Sequence, residues 1–263
     1  MIVLIGCGRM GSALLKGWLK SGVKPITVVE PKPSVDLKKL AKAKKITLVA
    51  APSQVRGKPD VCIVAIKPQI LKGEAAALAG FAKTALMISI AAGTTIAALR
   101  KAWGAKARII RAMPNTPGAI GEGITGIFAA KGVTPADKKK AVSLVSALGA
   151  TEWVATEKLI DAVIAVSGSG PAYLFLFAEV LTAAGIAEGL APKQSETLAR
   201  ATVSGAGALL KADKSPAAKL RENVTSPGGT TAAALAVFMQ DDALLKLVKR
   251  AARAAAKRAQ ELG

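Results

Sequence analysis

Near the start of the chain, Gly6-Cys7-Gly8-Arg9-Met10-Gly11 carries glycines at the spacing G-x-G-x-x-G. The segment follows the apolar run Ile2–Ile5 and opens a stretch of helical period containing Leu14, Leu15, Trp18 and Leu19. Glycines at this spacing permit a tight turn, let the backbone approach a pyrophosphate and pack a helix closely on its strand. The phosphates then meet free N–H groups at the positive end of that helix. With strand, helix and a second strand at Thr27–Val29 in place, the loop predicts dinucleotide binding through Gly6, Cys7, Gly8, Arg9, Met10 and Gly11 rather than an ordinary glycine turn. Glu30 closes the second strand, where an acidic side chain accepts hydrogen bonds from the adenosine ribose and favours NADH. Lys32 and Arg9 stand nearby in sequence, and either could pair with the 2′-phosphate of NADPH. The choice between cofactors stays open, as does a solvated role for Glu30.

Further segments place polar groups where ligands bind. Asn115 lies in Pro114-Asn115-Thr116-Pro117, a stiff extended stretch at the end of a candidate strand, and strand ends are where open α/β sheets take ligands. Lys67 follows the run Val61–Ile66 in the same way. A turn amide and a solvated lysine are the plain alternatives. In Ser226-Pro227-Gly228-Gly229-Thr230-Thr231, the Pro-Gly-Gly portion makes a poor helix, whereas Thr230 or Thr231 ahead of Ala232-Ala233-Ala234-Leu235 reads as a capped helix start. The unpaired N–H groups there suit a carboxylate, although an inter-helix turn with a threonine cap fits the same residues. Ser167-Gly168-Ser169-Gly170-Pro171 reads as a stop in one uncharged helix and the restart of another.

The chain has no histidine, which removes the usual general acid/base, any Ser-His-Asp triad and the common histidine metal sites. Its 2 cysteines, Cys7 and Cys62, have no metal-ligand spacing, so neither a metal site nor a disulfide is expected. Lys and Arg number 37 against 17 Asp and Glu, a net charge of +20 that favours anionic partners. The basic residues are scattered and only 3% of the chain is aromatic, so nucleic-acid binding is not expected. The stripe Lys246, Lys249, Arg250, Arg253, Lys257 reads as a solvated helix face. The chain opens on Met1-Ile2-Val3-Leu4-Ile5 with no basic leader, and the uncharged stretch Ala162–Ala178 falls short of the ~20 residues a membrane span needs. A cytoplasmic protein without membrane association is the expectation.

These groups need elements to hold them. Residues 1–154 alternate β-branched runs with helical stretches, the pattern of βαβ units around a parallel sheet. Strands are predicted at Ile2–Ile5, Thr27–Val29, Val61–Ile66, Met87–Ile90, Arg108–Arg111 and Gly126–Ala129, with helices at Ser12–Lys20, Val35–Lys44, Leu71–Phe81, Thr95–Lys101 and Pro135–Leu148. Residues 155–263 read as all-helical, in segments Glu157–Val166, Pro171–Leu190, Pro192–Lys211, Pro216–Val224, Thr231–Met239 and Asp241–Glu261. Several are apolar on more than one face, which implies burial against another subunit.

The glycine loop, Ala65-Ile66-Lys67-Pro68, Ile109–Pro117, Ser167–Tyr173 and Thr225–Thr231 resemble, in the same order, the signature segments of the pyrroline-5-carboxylate reductases. The resemblance spans essentially the whole chain, with Ser-Pro-Gly-Gly-Thr-Thr its most specific part. It implies an α/β fold, a Rossmann-type parallel-sheet domain followed by an all-helical dimerisation domain, with an active site between them completed across a homodimer or a higher homo-oligomer. It implies NADPH or NADH as cofactor and 1-pyrroline-5-carboxylate as the small-molecule substrate, reduced at its C=N bond to proline. By this resemblance Lys67 and Asn115 lie near the nicotinamide, with Ala65 and Pro68 also on the cofactor. Ser169, Ser226, Gly228, Gly229, Thr230 and Thr231 surround the substrate, and the Thr231 hydroxyl is the candidate partner of the ring nitrogen. The sequence departs from relatives at Arg9, where asparagine is common, and at Glu30, where serine or threonine accompanies NADPH use. An iminium substrate brings its own proton, which agrees with a chain lacking histidine. A β-hydroxyacid dehydrogenase would share the architecture, but Lys193 and Lys211 lack the glycine motif around that family's catalytic lysine. A dinucleotide sensor without turnover is the non-enzymatic alternative.

Overall fold

The computed structural model describes residues Met1–Leu262. The chain packs as two compact units, one formed by Met1–Ser169 with the C-terminal residues from Ala255 onward, the other by Gly170–Ala254.

The first unit is built on strands β1 (Ile2–Ile5), β2 (Ile26–Val29), β3 (Thr47–Val49), β4 (Val61–Val64), β5 (Leu86–Ser89), β6 (Ile109–Met113), β7 (Gly123–Ala129) and β8 (Gly149–Trp153). They form an 8-stranded sheet in the order β3-β2-β1-β4-β5-β6-β7-β8. Strands from β3 to β6 are parallel, β7 runs antiparallel to β6, and β8 is parallel to β7. Every residue of β2, β4 and β5 is buried, as expected of parallel strands covered on both faces.

The covering helices are α1 (Arg9–Lys20), α2 (Val35–Lys42), α3 (Pro68–Glu74), α4 (Ala79–Ala82), α5 (Ile96–Trp103), α6 (Pro135–Val145) and α7 (Leu159–Val163). One core joins Leu14, Leu15 and Trp18 of α1 to Leu144 and Val145 of α6, and the Trp18 indole N–H bonds the Leu144 carbonyl at 2.8 Å. The other core gathers Leu71, Leu78, Leu99 and Trp103 on a second set of strand side chains. Ser34, Thr95 and Thr134 cap α2, α5 and α6 through their hydroxyls, and Thr134 with Asp137 completes a capping box around Pro135 at the first helical position. Because β1 lies between β2 and β4, the winding of the chain reverses at the carboxyl end of β1, where open sheets leave a ligand crevice.

Several boundaries differ from the sequence expectation. Helix α1 starts at Arg9, not Ser12, so the glycine loop runs directly into its first turn. The helix expected at Leu71–Phe81 divides into α3, a 3-10 turn at Ala75–Leu78 and α4. Strands β3 and β8 were not anticipated: β3 has three residues, and β8 is a half-exposed edge strand carrying Gly149 and Glu152.

No strand follows β8 among the described residues. The stop and restart expected at Ser167–Pro171 is reduced to a bend at Ser169, and the stretch Leu159–Ala187, otherwise helical, has 29 residues that by length and composition alone suffice to cross a membrane. A π-helical turn at Ile164–Gly168 absorbs an extra residue through the Ser169 N–H bond to the Ile164 carbonyl at 2.8 Å. Pro171 falls in the next first turn, where its missing N–H costs little.

The second unit holds α8 (Gly170–Ala187), α9 (Pro192–Ala212), α10 (Ala217–Asn223), α11 (Thr230–Met239) and the first part of α12 (Ala243–Leu262). Helices α8 and α9 pack together through the Ser195 hydroxyl, which bonds the Thr182 carbonyl at 2.7 Å. Within the single chain, Leu174, Phe175, Leu176, Phe177 and Val180 of α8 and Val237, Phe238 and Met239 of α11 are exposed. Apolar surface on this scale marks an interaction face.

Candidate active site

The glycine loop follows β1 at the reversal point. Gly6 has φ +85°, a left-handed conformation, and a Cβ there would stand 2.5 Å from Ile66 Cγ2 and 2.9 Å from the Ala65 carbonyl oxygen. A Cβ on Gly11 would collide with the Gly6 carbonyl. Gly8 differs, since no atom lies within 4 Å of where its Cβ would be. Packing therefore explains Gly6 and Gly11, while Gly8 keeps open the space in front of the loop. The first helical bond of α1 runs from the Ser12 N–H to the Gly8 carbonyl at 2.8 Å, leaving the N–H groups of Arg9, Met10 and Gly11 ahead of it. No acidic residue lies in that turn. The loop fits a dinucleotide pyrophosphate.

Glu30 is half-buried at the end of β2. Its Oε2 accepts from the Cys7 N–H at 2.9 Å and its Oε1 from the Lys32 N–H at 3.1 Å. This carboxylate is thus fastened to the glycine loop rather than merely solvated, whereas the side chains of Arg9 and Lys32 are exposed. Burial pushes the Cys7 thiol above its ordinary pKa, the hydrogen bond with Ser12 opposes the rise, and the Glu30 charge adds to it. Cys7 is therefore a neutral thiol at pH 7 and no nucleophile.

Ala65, Lys67 and Pro68 follow β4, with the Ala65 N–H on the Ile5 carbonyl at 2.8 Å, Lys67 exposed and Pro68 opening α3. Asn115 follows β6, and its Oδ1 accepts from the Ile124 N–H at 3.0 Å, so its amide NH₂ is turned away from that turn. Ser169 is half-buried at the end of the π turn. A Cβ on the adjacent Gly168 would lie 3.1 Å from Met113 Cε, which brings the Ser167–Ser169 backbone against the end of β6. These residues share the first unit and the carboxyl side of its sheet.

The remaining candidates lie in the second unit. The Gly229 N–H bonds the Ser226 carbonyl at 3.0 Å, and Gly228 takes φ +68°. Helix α11 begins at Thr230 with Gly229 as its N-cap and no side-chain cap, which corrects the expected threonine cap. The first helical bond runs from Ala233 N–H to the Gly229 carbonyl at 3.2 Å, so the N–H groups of Thr230, Thr231 and Ala232 precede it. Thr231 is half-buried, while Ser226 and Thr230 are exposed.

Pyrroline-5-carboxylate reductase of Pseudomonas aeruginosa is 37% identical to this chain over 263 aligned residues, 99% of this chain and 96% of its own. The chain belongs to the pyrroline-5-carboxylate reductase family. Residues 157–262 match the family described as pyrroline-5-carboxylate reductase dimerisation, and residues 1–93 match NADP oxidoreductase, coenzyme F420-dependent. The solved pyrroline-5-carboxylate reductase of Coxiella burnetii superposes with a TM-score of 0.91 at 36% identity, covering 100% of this chain and 98% of its own. The Plasmodium falciparum pyrroline carboxylate reductase, solved with NADP bound, gives 0.83 at 28% identity over 100% and 97%.

One buried polar group in this pyrroline-5-carboxylate reductase fold escaped the sequence reading. Arg111, 4% exposed, lies on β6 and donates from Nη1 to Glu157 Oε1 at 2.8 Å. A lone arginine inside the apolar run Ile109–Met113 was the signal for it.

Proposed function

We propose that the protein reduces the C=N bond of 1-pyrroline-5-carboxylate to give L-proline, the last step of proline biosynthesis, with NADH or NADPH as reductant. The observation that carries this reading is the match to the Pseudomonas aeruginosa enzyme over 96% of that enzyme's length, which takes in the glycine loop and the Ser226–Thr231 loop together.

Gly6, Cys7, Gly8, Arg9, Met10 and Gly11 hold the pyrophosphate on the start of α1, and Glu30 accepts from the adenosine ribose, with Lys32 beside it. Ala65, Lys67, Pro68 and Asn115 line the nicotinamide end, where the Asn115 NH₂ is available to donate. The bound nicotinamide supplies the hydride. The substrate carboxylate rests on the N–H groups that open α11, with Ser226, Gly228, Gly229 and Thr230 shaping that turn, and Ser169 contributes from the π turn. Thr231 orients the ring nitrogen through its hydroxyl. The iminium nitrogen carries its proton before reaction, so the residues orient and hydrogen-bond rather than deliver a proton.

In functional terms the chain divides at Val154, into a dinucleotide-binding part at 1–154 and a substrate-binding and dimerisation part at 155–263. The exposed apolar faces of α8 and α11 suit a homodimer interface better than a lipid contact, because the chain enters α8 directly from the half-buried Ser169, a proposed site residue. The protein acts in the cytoplasm. NAD(P)H oxidation followed at its absorbance with racemic pyrroline-5-carboxylate tests the reading. Turnover with this imine and none with a β-keto acid supports it, and binding of cofactor without turnover of any imine overturns it in favour of a sensor.

A further inference from the structure

We propose that the Arg111–Glu157 ion pair is a positioning device for the reaction site, fixing the segment from Leu159 to Ser169 over the carboxyl end of β6. The inference rests on the imine reduction proposed above for its kinetic readout, and on packing within the first unit for its structural one.

Arg111 sits between Ser89 of β5 and Phe128 of β7 in the register of the sheet. The Glu157 oxygen that accepts from Arg111 also accepts from the Ile96 N–H at 2.6 Å, at the first residue of α5. One carboxylate therefore joins the middle of the sheet, the positive end of α5 and the lead-in to α7. Glu157 is also the first residue of the dimerisation match.

The pair and the site are connected along a single strand. Arg111 and Met113 are two positions apart on β6, so their side chains leave the same face of the sheet. On that face Ile160 and Ile164 pack with Met113, Phe128, Ala92 and Val154. Gly126 of β7 leaves room for Val163, since a Cβ there would stand 2.5 Å from Val163 Cγ1. Beyond the π turn, Gly168 meets Met113. Arg111 thus secures the start of the segment while Met113 receives its end, two residues before Asn115. An apolar pair of similar volume would stabilise such a site as well or better. What guanidinium and carboxylate add is direction, because the charge-assisted bond from Nη1 to Oε1 holds only in a narrow geometry.

The test compares wild type, Arg111→Met and Glu157→Gln in the full-length protein, well below each melting midpoint. Arg111→Met removes the buried cation and leaves Glu157, 30% exposed, still bonded to the Ile96 N–H of α5. Its kcat on pyrroline-5-carboxylate should fall about tenfold to a hundredfold, the cost of a site displaced by about 1 Å, while its NADH and NADPH Kd values stay within about twofold. Glu157→Gln retains an oxygen for both donors and should keep most of the activity. Hydrogen exchange gives a readout independent of substrate, and in Arg111→Met it should quicken at residues 164–169 but not at 6–11. If wild type lacks imine turnover yet exchange responds this way, the reaction assignment falls and the positioning role stands. Should Arg111→Met fail to fold, Arg111→Lys, which keeps the charge without the planar fork, is required to show the same two effects in milder form. A lower melting temperature with unchanged kcat and unchanged exchange at 164–169 would overturn the proposal.

Discussion

The Glu30 carboxylate accepts a hydrogen bond from the Cys7 backbone N–H at 2.9 Å, so the acidic group at the end of β2 is built into the glycine loop itself. Its other oxygen is held by the Lys32 N–H. A 2′-phosphate on the adenosine ribose would face a carboxylate that cannot readily swing aside.

Glu30→Ser should therefore raise the ratio of kcat/KM for NADPH over NADH by about tenfold or more, equivalent to removing at least ~1.4 kcal/mol of like-charge repulsion. It should also weaken NADH binding, because the Cys7 N–H loses its partner and the ribose its acceptor. Steady-state kinetics with both cofactors decide the point, and an unchanged ratio would show that Glu30 serves the loop alone.

Gly8→Ala separates ligand approach from protein packing. The added methyl group meets no protein atom within 4 Å, so stability should fall by about 1 kcal/mol at most, the difference between glycine and alanine as an N-cap. Affinity for NADH and NADPH should be largely lost, because the methyl group occupies the path of the pyrophosphate. Fluorescence titration showing wild-type affinity would remove the loop from the cofactor site.

Thr231 offers a similar separation. Gly229 is the N-cap of α11, so the Thr231 hydroxyl has no capping bond to lose. Thr231→Ala should leave the melting temperature nearly unchanged and lower kcat about tenfold to a hundredfold, the ~1.5–3 kcal/mol of a hydrogen bond to a charged group. KM should change less, since a bond that orients the ring nitrogen for hydride attack is felt mainly in the chemical step. Thr231→Ser should keep most activity. A destabilised but fully active alanine variant would assign Thr231 to structure only.

The exposed Phe175, Phe177 and Phe238 lead to a prediction about assembly. The protein should be a dimer or larger at all concentrations at which it is folded, because the apolar faces of α8 and α11 are too extensive for a stable monomer. Light scattering on diluted samples checks this, and an active monomer would contradict it.

The sequence made the sheet and the cofactor loop legible because both follow local rules. The buried runs of β1, β4 and β5 read directly as strands, and the glycine spacing placed the loop between the first strand and the first helix, which the strand order then puts at the reversal of the sheet. What it concealed depended on tertiary contact. Ser167–Pro171 reads as a stop and restart by composition, but nothing in it announces the π turn at Ile164–Gly168 that leads to the bend at Ser169. Thr230 and Thr231 look like caps, yet Gly229 is the N-cap, so the helix starts at Thr230, one residue earlier than expected. Edge strand β8 has too little apolar alternation to stand out, and the partner of Arg111 lies 46 residues away in sequence.

The most direct test of the account follows the transferred atom. NADH or NADPH carrying deuterium at both C4 positions of the nicotinamide, incubated with the protein and pyrroline-5-carboxylate, should yield L-proline one mass unit heavier. The label should sit on the ring carbon that was doubly bonded to nitrogen. Cofactor oxidation with no labelled proline, or proline formed without the label, would contradict hydride transfer to the C=N bond.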